Sequence, residues 1–225
     1  MEQTNIIALS RTVYSNYERL LHRTGQTFIF ITDKKELTVE NLRKYQPKYV
    51  FFPHWSYVIP ASIFQEFECI IFHMTDVPFG RGGSPLQNLI LRGIYETKIS
   101  ALRCTKELDA GPVYLKRPLS LYGSAEEIYM RAAEVIEEMI VEIVTTHNII
   151  PVPQQGQVVT FTRRKPEESD ISDVDSLEKV FDYIRMLDAE GYPRAYLETK
   201  SLRFEFSRAS RKPNEILADV RITLK

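Results

Sequence analysis

Near its start the chain alternates short apolar, β-rich runs with segments of helical spacing, and that alternation restricts it to an α/β architecture. "NIIAL" and "TFIFIT" are the first two such runs. Between them "VYSNYERLLHRTG", residues 13–25, sets Tyr17, Leu20 and Leu21 at helical spacing before Gly25. "LTVENLRKYQ" then predicts a helix, "YVFFPH" a strand, "PASIFQEF" a short helix and "CIIFH" a strand. Strands buried on both faces read as continuous apolar runs, and Phe28 to Ile31, Val50 to Phe52 and Ile70 to Phe72 do so. The expectation is a Rossmann-like parallel sheet with helices on both sides.

Downstream, Ser84 is a candidate cap and Pro85 a first helical residue for "LQNLILRGI", with Leu86, Leu89 and Ile90 on one face. "KISALRC" and "PVYLKRPLSL" predict two further strands. Ser124 and Glu127 have capping-box spacing at the head of a long helix, whose predicted buried stripe is Ile128, Ala132, Val135, Met139 and Ile143. Past Pro151 and Pro153 the texture changes. A glycine turn, a short strand and a charged loop lead to a capped helix with Leu177, Phe181, Ile184 and Leu187 predicted inward, and then to alternating strands. This divides the chain into a Rossmann-like domain over residues 1–151 and a small C-terminal α+β appendage over 152–225.

Composition narrows the partners. With 29 Lys+Arg against 30 Asp+Glu, the net charge of −1 lacks the basic excess by which nucleic-acid binders neutralise phosphates, so no nucleic-acid partner is expected. No apolar run is long enough to span a membrane, and "MEQTNIIALSRT" lacks the features of a signal peptide, so the expected location is cytoplasmic with no membrane partner. Cys69 and Cys104 lie 35 positions apart without metal-binding spacing, and read as small buried apolar residues rather than as a metal site or disulfide.

In an open parallel sheet, ligands bind beyond the carboxyl ends of the strands. The stretch "IIFHMTDVPFGRGGSP" delivers His73 to such an end, and the preceding strand delivers His54. Gly82 and Gly83 allow close approach to backbone amides. In "KELDAGPVY", Asp109 and Gly111 make a tight turn. A carboxylate, an imidazole and exposed backbone donors suit acyl transfer with proton transfer. Each part also has a plain structural use: strand-end histidines are more often structural, an Asp before a glycine usually makes a turn, and Arg81 reads equally well as a surface charge. GxGxxG, P-loop and GxSxG motifs are absent. Residue chemistry alone stops at an α/β enzyme with a His/Asp site.

"FHMTDVPFGRGGSPLQNLILRG" followed by "TKISALRCTKELDAGPVYLKRPLSL" resembles the formyltransferase family that uses 10-formyltetrahydrofolate. The family signature is a histidine, a proline turn, an RG pair before a helix and a later "LDxG" turn, and the 36 positions from His73 to Asp109 match its spacing. The resemblance implies catalytic His73 and Asp109, no metal, and a folate slot lined by Thr75, Val77, Arg81, Gly82, Gly83, Leu108 and Gly111. The family carries an asparagine two residues before the histidine, where this chain has Ile71. His54 is the candidate to replace its hydrogen bond, with Thr75 second. The tail, "GQVVTFTRRKPEESDIS" and "IRMLDAEGYPRAYL", is similar to that of sugar N-formyltransferases. It implies an amino sugar linked to a nucleotide as acceptor, with Arg81 and the basic run 163–165 as candidates for phosphate contacts. Alternatives are an aminoacyl group on a carrier protein or methionyl-tRNA, and, in a different class, an inactive folate or nucleotide-sugar binding protein. "LRFEFSRAS" and "LADVRITL" also offer strands for a homodimer contact.

Overall fold

The computed structural model describes residues 3–10 and 17–225 of the 225-residue chain. Residues 13–16 of the first predicted helix lie outside the described residues.

The expected α/β fold is present. Strands β1 (Thr4–Ala8), β2 (Thr27–Ile31), β3 (Val50–Phe52), β4 (Cys69–His73), β6 (Glu96–Arg103) and β7 (Val113–Ser120) form one sheet in the order β2-β1-β3-β4-β6-β7. β1 pairs in parallel with β2 and β3, and β3 with β4, as the apolar runs predict. β6 departs from that expectation by running antiparallel to β4, with Ile70 opposite Arg103 and His73 opposite Ser100. A second departure is β2. It lies at the sheet edge with Phe30 exposed, so its continuous apolar run does not reflect burial on both faces.

Short helices α1 (Leu20–Thr24), α2 (Val39–Arg43) and α3 (Ala61–Phe64) connect the early strands. α2 starts where Thr38 Oγ1 accepts the Asn41 N–H, and α1 stops at Gly25, whose left-handed backbone satisfies the Leu21 carbonyl. Ile6, Ala8, Leu42, Val50, Phe52 and Ile63 fill one core cluster. Apart from the small Ala8, each such side chain contributes roughly 1.5–3 kcal/mol on burial. Val77, Leu102 and Val113 form another cluster, and Ile71 packs against both.

The stretch that reads as a bare glycine turn is partly a strand. β5 (Phe79–Gly82) pairs with β8 (Val159–Phe161). Helix α4 (Pro85–Ile90) follows, but Ser84 does not cap it. Ser84 adopts a left-handed backbone with φ of 50°, and its hydroxyl accepts the Arg164 N–H instead. α5 (Ala125–Thr145) has its predicted capping box: Glu127 Oε2 accepts the Ser124 N–H at 2.7 Å and Ser124 Oγ accepts the Glu127 N–H at 3.3 Å. Its buried stripe includes Ile136, four residues after Ala132, while the expected Val135 is only half-buried at the edge of the stripe.

The chain divides into two compact units. One comprises residues 1–81, 97–119 and 130–160, and the other 82–96, 120–129 and 161–225. In the second unit, α6 (Leu177–Leu187) packs on β10 (Leu202–Arg211), the middle strand of an antiparallel sheet with β9 (Ala195–Glu198) and β11 (Ile216–Leu224). Leu177 is exposed rather than inward, while Ile184 and Leu187 are buried as expected. On the same helix Arg185 and Asp182 are buried as an ion pair, with Arg185 also donating to the Leu121 and Gly123 carbonyls.

Candidate active site

The site is built in the first unit, where β4 ends. His73 is the last residue of that strand and is 7 % exposed. Its Nε2 lies 2.7 Å from the Gly80 carbonyl oxygen and its Nδ1 lies 3.4 Å from Asp109 Oδ2. A carbonyl only accepts, so Nε2 carries a proton and donates it. Nδ1 is then the nitrogen beside the carboxylate. Both ring nitrogens thus face oxygen atoms, the Gly80 carbonyl on one side and the Asp109 carboxylate on the other. The arrangement can accept, hold and return one proton at a fixed place.

The loop after His73 is held as firmly as the strand. Thr75 is fully buried, its Oγ1 donates to the Gly80 carbonyl at 3.3 Å, and its own carbonyl accepts from Ser100 Oγ at 2.7 Å. Lys116 Nζ donates to Asp76 Oδ1 and to the Val77 carbonyl, both at 2.5 Å, and Lys98 reaches Asp76 Oδ2 at 2.9 Å. Burial acts to raise the Asp76 carboxyl, but the two ammonium groups outweigh it and hold it below the usual carboxylate range. Gly80, with φ of 78°, places its carbonyl where His73 and Thr75 converge.

Asp109 arrives on the turn between β6 and β7. It is 8 % exposed and has a left-handed backbone with φ of 51°. At Gly111 a Cβ would lie 1.8 Å from the Arg103 carbonyl oxygen, so only glycine lets the turn pass this close to β6. Leu108, beside Asp109, is 70 % exposed.

The structure brings His73, Thr75, Asp109 and Gly80 together, and it gives other candidates a different surrounding. The Arg81 guanidinium donates through Nε and Nη2 to Gln154 Oε1, at 3.0 and 2.7 Å. Val77 is buried in a core cluster. At Gly83, in the second unit, a Cβ would meet Arg163 Cβ at 2.5 Å, so this glycine has a packing reason of its own. Gly82 ends β5 with φ of 105°. His54 lies two residues beyond Phe52, and His73 two residues beyond Ile71, which is the pairing partner of Phe52. The carbonyl of His54 accepts from Ser10 Oγ at 2.6 Å, fixing its left-handed backbone. Ile71 is packed among apolar side chains and offers no hydrogen bond.

Gly80, Ser100, Lys116 and Gln154 have no sequence signal, because each acts through a contact that appears only when distant strands meet. The two cysteines are also closer than their spacing suggests: the Cys104 N–H donates to the Cys69 carbonyl at 2.8 Å. Burial, reinforced by Cys104, pushes the Cys69 thiol far up, and burial with nearby Asp109 pushes the Cys104 thiol up to about 11. Among the described residues, no group of three or more His, Cys, Asp or Glu side chains is placed to hold a metal ion, and no helix is long and apolar enough to cross a membrane.

The family described as methionyl-tRNA formyltransferase, C-terminal domain, matches residues 166–223. A solved structure, methionyl-tRNA formyltransferase from Clostridium thermocellum, is 49 % identical with a TM-score of 0.95, covering 99 % of this chain and 100 % of that one. The methionyl-tRNA formyltransferase of Rickettsia felis is 25 % identical over 171 residues, 73 % of this chain and 56 % of the relative. HypX from Aquifex aeolicus in complex with tetrahydrofolic acid shares the fold with a TM-score of 0.75 at 19 % identity, over 96 % of this chain and 40 % of that one. The chain spans about half the length of the curated relatives it matches.

These findings overturn two expectations. The tail, read as that of a sugar N-formyltransferase acting on a nucleotide-linked amino sugar, matches a methionyl-tRNA formyltransferase C-terminal domain instead. The expectation of no nucleic-acid partner also fails, because the relatives are named for a tRNA substrate. Net charge is a sum over the surface, and it says little about a small local contact with phosphates. With a full-length likeness at this identity, the chain belongs to the formyltransferase family of which the Clostridium thermocellum methionyl-tRNA formyltransferase is a member.

Proposed function

We propose that this protein transfers a formyl group from 10-formyltetrahydrofolate to the amino group of methionine esterified to tRNA. The observation that carries the reading is the facing pair of His73 Nδ1 and Asp109 Oδ2, 3.4 Å apart, in a chain 49 % identical along its length to a protein named for that reaction. The folate supplies an activated formyl carbon. The exposed apolar side chain of Leu108, beside Asp109, fits the face of a flat ring, and the backbone of residues 105–111 offers it hydrogen-bonding groups.

The acceptor amine must lose a proton as its bond to the formyl carbon forms, and the departing folate nitrogen must gain one as its bond to that carbon breaks. His73 and Asp109 are arranged to carry this proton, with Nε2 committed to Gly80 and Nδ1 available. Proton management of this kind contributes roughly 100- to 10,000-fold in rate. A protonated imidazole also supplies positive charge near the oxyanion that develops on the formyl oxygen. Ile71 cannot share that task, and His54, on the neighbouring strand end, is our candidate for the donor it lacks.

Formylation of methionyl-tRNA by the purified protein, with 10-formyltetrahydrofolate as donor, tests this directly. Formylmethionyl-tRNA should accumulate with one tetrahydrofolate released per turnover. His73→Ala should reduce the rate by about 100- to 10,000-fold. Absence of formylmethionyl-tRNA from wild-type reactions that still release tetrahydrofolate to another amine would overturn the acceptor. A His54→Ala variant with undiminished kcat would remove His54 from the site.

A further inference from the structure

We propose that Gln154 is a positioning residue for the transfer chemistry, its side-chain amide holding the Asp109 turn in register with His73. The inference rests on the formyl-transfer reading and concerns a residue that has no part in the motifs used so far. Its physical basis is a chain of contacts within the first unit. Val113 and Val152 exchange both backbone hydrogen bonds, at 2.8 and 2.9 Å, in an isolated antiparallel bridge. That bridge fixes the register of the segment carrying Gln154, two residues further on. Gln154 Nε2 then donates to the carbonyls of Asp109 and Gly111, at 2.8 and 2.9 Å. Its Oε1 accepts from Nε and Nη2 of Arg81.

The orientation of this amide is unambiguous. Exchanging its oxygen and nitrogen would set an acceptor against two carbonyls and a donor against a guanidinium. Every hydrogen on Nε2 is used, and both are spent on the turn that presents the catalytic carboxylate. Asp109 sits in a left-handed conformation, which an aspartate tolerates in a turn but which leaves the direction of its carboxylate to the contacts on either side. Gly111 is in contact with the Arg103 carbonyl, so the turn has no room to shift toward β6. Two bonds from one side chain to residues 109 and 111 span the turn and fix the direction in which Asp109 points. Arg81 is thereby assigned to orienting Gln154.

The test compares Gln154→Ala, Gln154→Glu and the volume-matched Gln154→Met, each alone and in an Asp109→Asn background, by steady-state formylation of methionyl-tRNA and by hydrogen exchange over residues 105–112. Glutamate keeps the contact with Arg81 but cannot donate to the carbonyls. Each single variant should lose about 10- to 100-fold in kcat, with the KM for methionyl-tRNA changing far less, because misplacement of a reacting group costs rate before binding. Exchange in the turn should quicken, and in the Asp109→Asn background the same substitutions should cost almost nothing further. A Gln154→Glu variant with wild-type kcat, or an equal loss in both backgrounds, overturns the proposal. Should wild-type protein formylate no methionyl-tRNA, the acceptor reading fails on its own. Hydrogen exchange still decides the staple: unchanged exchange over 105–112 sinks it, and faster exchange sustains it.

Discussion

His73 shows how little of a residue's role is set by its type. One nitrogen is spent on the Gly80 carbonyl, so the ring cannot rotate freely, and the other is left beside Asp109. The imidazole therefore works from a fixed edge. Gly111 is the matching constraint on the carboxylate side. A Gly111→Ala variant places a Cβ 1.8 Å from the Arg103 carbonyl oxygen, and the backbone of the turn must move to admit it. Overpacking of this sort costs about 1–3 kcal/mol. Urea unfolding should show that loss as a lower midpoint with an unchanged slope. Activity should fall more than stability does, since the displaced turn carries Asp109. A Gly111→Ala protein as active and as stable as wild type would contradict the close approach.

Among elements, the loop joining β4 to β5 depends on charge as much as on packing. Asp76 is bonded to Lys116 and Lys98, and its carboxyl is held below the usual value of 3.8. A carboxyl depressed in the folded protein contributes stability that is fully present above the unfolded value and is lost as pH falls through the folded one. The contribution is therefore intact at neutral pH and disappears below about pH 4. Replacing Asp76 with Asn should lower stability at pH 7 and flatten its dependence on pH between about 5 and 2, measured by thermal unfolding. Because 42 % of the Asp76 side chain is exposed, solvent screening keeps the effect modest. Equal acid sensitivity in the variant and the wild type would assign the transition to other carboxylates.

For the whole molecule, the near balance of charge turns the proposed methionyl-tRNA acceptor into a quantitative expectation. Each phosphate neutralised by a lysine or arginine contributes about 0.7–0.9 to the slope of log affinity against log salt. The basic run Arg163, Arg164 and Lys165 supplies three cations, and Arg164 is already engaged with Glu168 and its carbonyl. If methionyl-tRNA is the acceptor, its KM should therefore rise with salt with a slope of only about 1.5 from Arg163 and Lys165, and no more than about 3 with Arg164 recruited. A slope near 10 would require an extensive phosphate-binding face, which a chain with a net charge of −1 is poorly composed to supply.

The sequence by itself determined the order of the main-sheet strands and of the helices, because short apolar runs and capping residues are local signals, but it hid β5 inside a glycine-rich stretch. It also located His73 and Asp109, through two motifs 36 positions apart. Continuous apolar runs did not reveal that β2 is an edge or that β6 is antiparallel, since a run records hydrophobicity and not its neighbours. Nor did the glycines of the motifs all disclose their use. Gly83 read as room for a ligand, and the structure fills the space beside it with Arg163; Gly111 read as part of a tight turn, and the structure shows why, with the Arg103 carbonyl against it. Only the tertiary structure set Gly80 and Asp109 on either side of one imidazole, and Gln154 behind the Asp109 turn. Those contacts depend on strand register and on the bridge between Val113 and Val152, which no local pattern encodes.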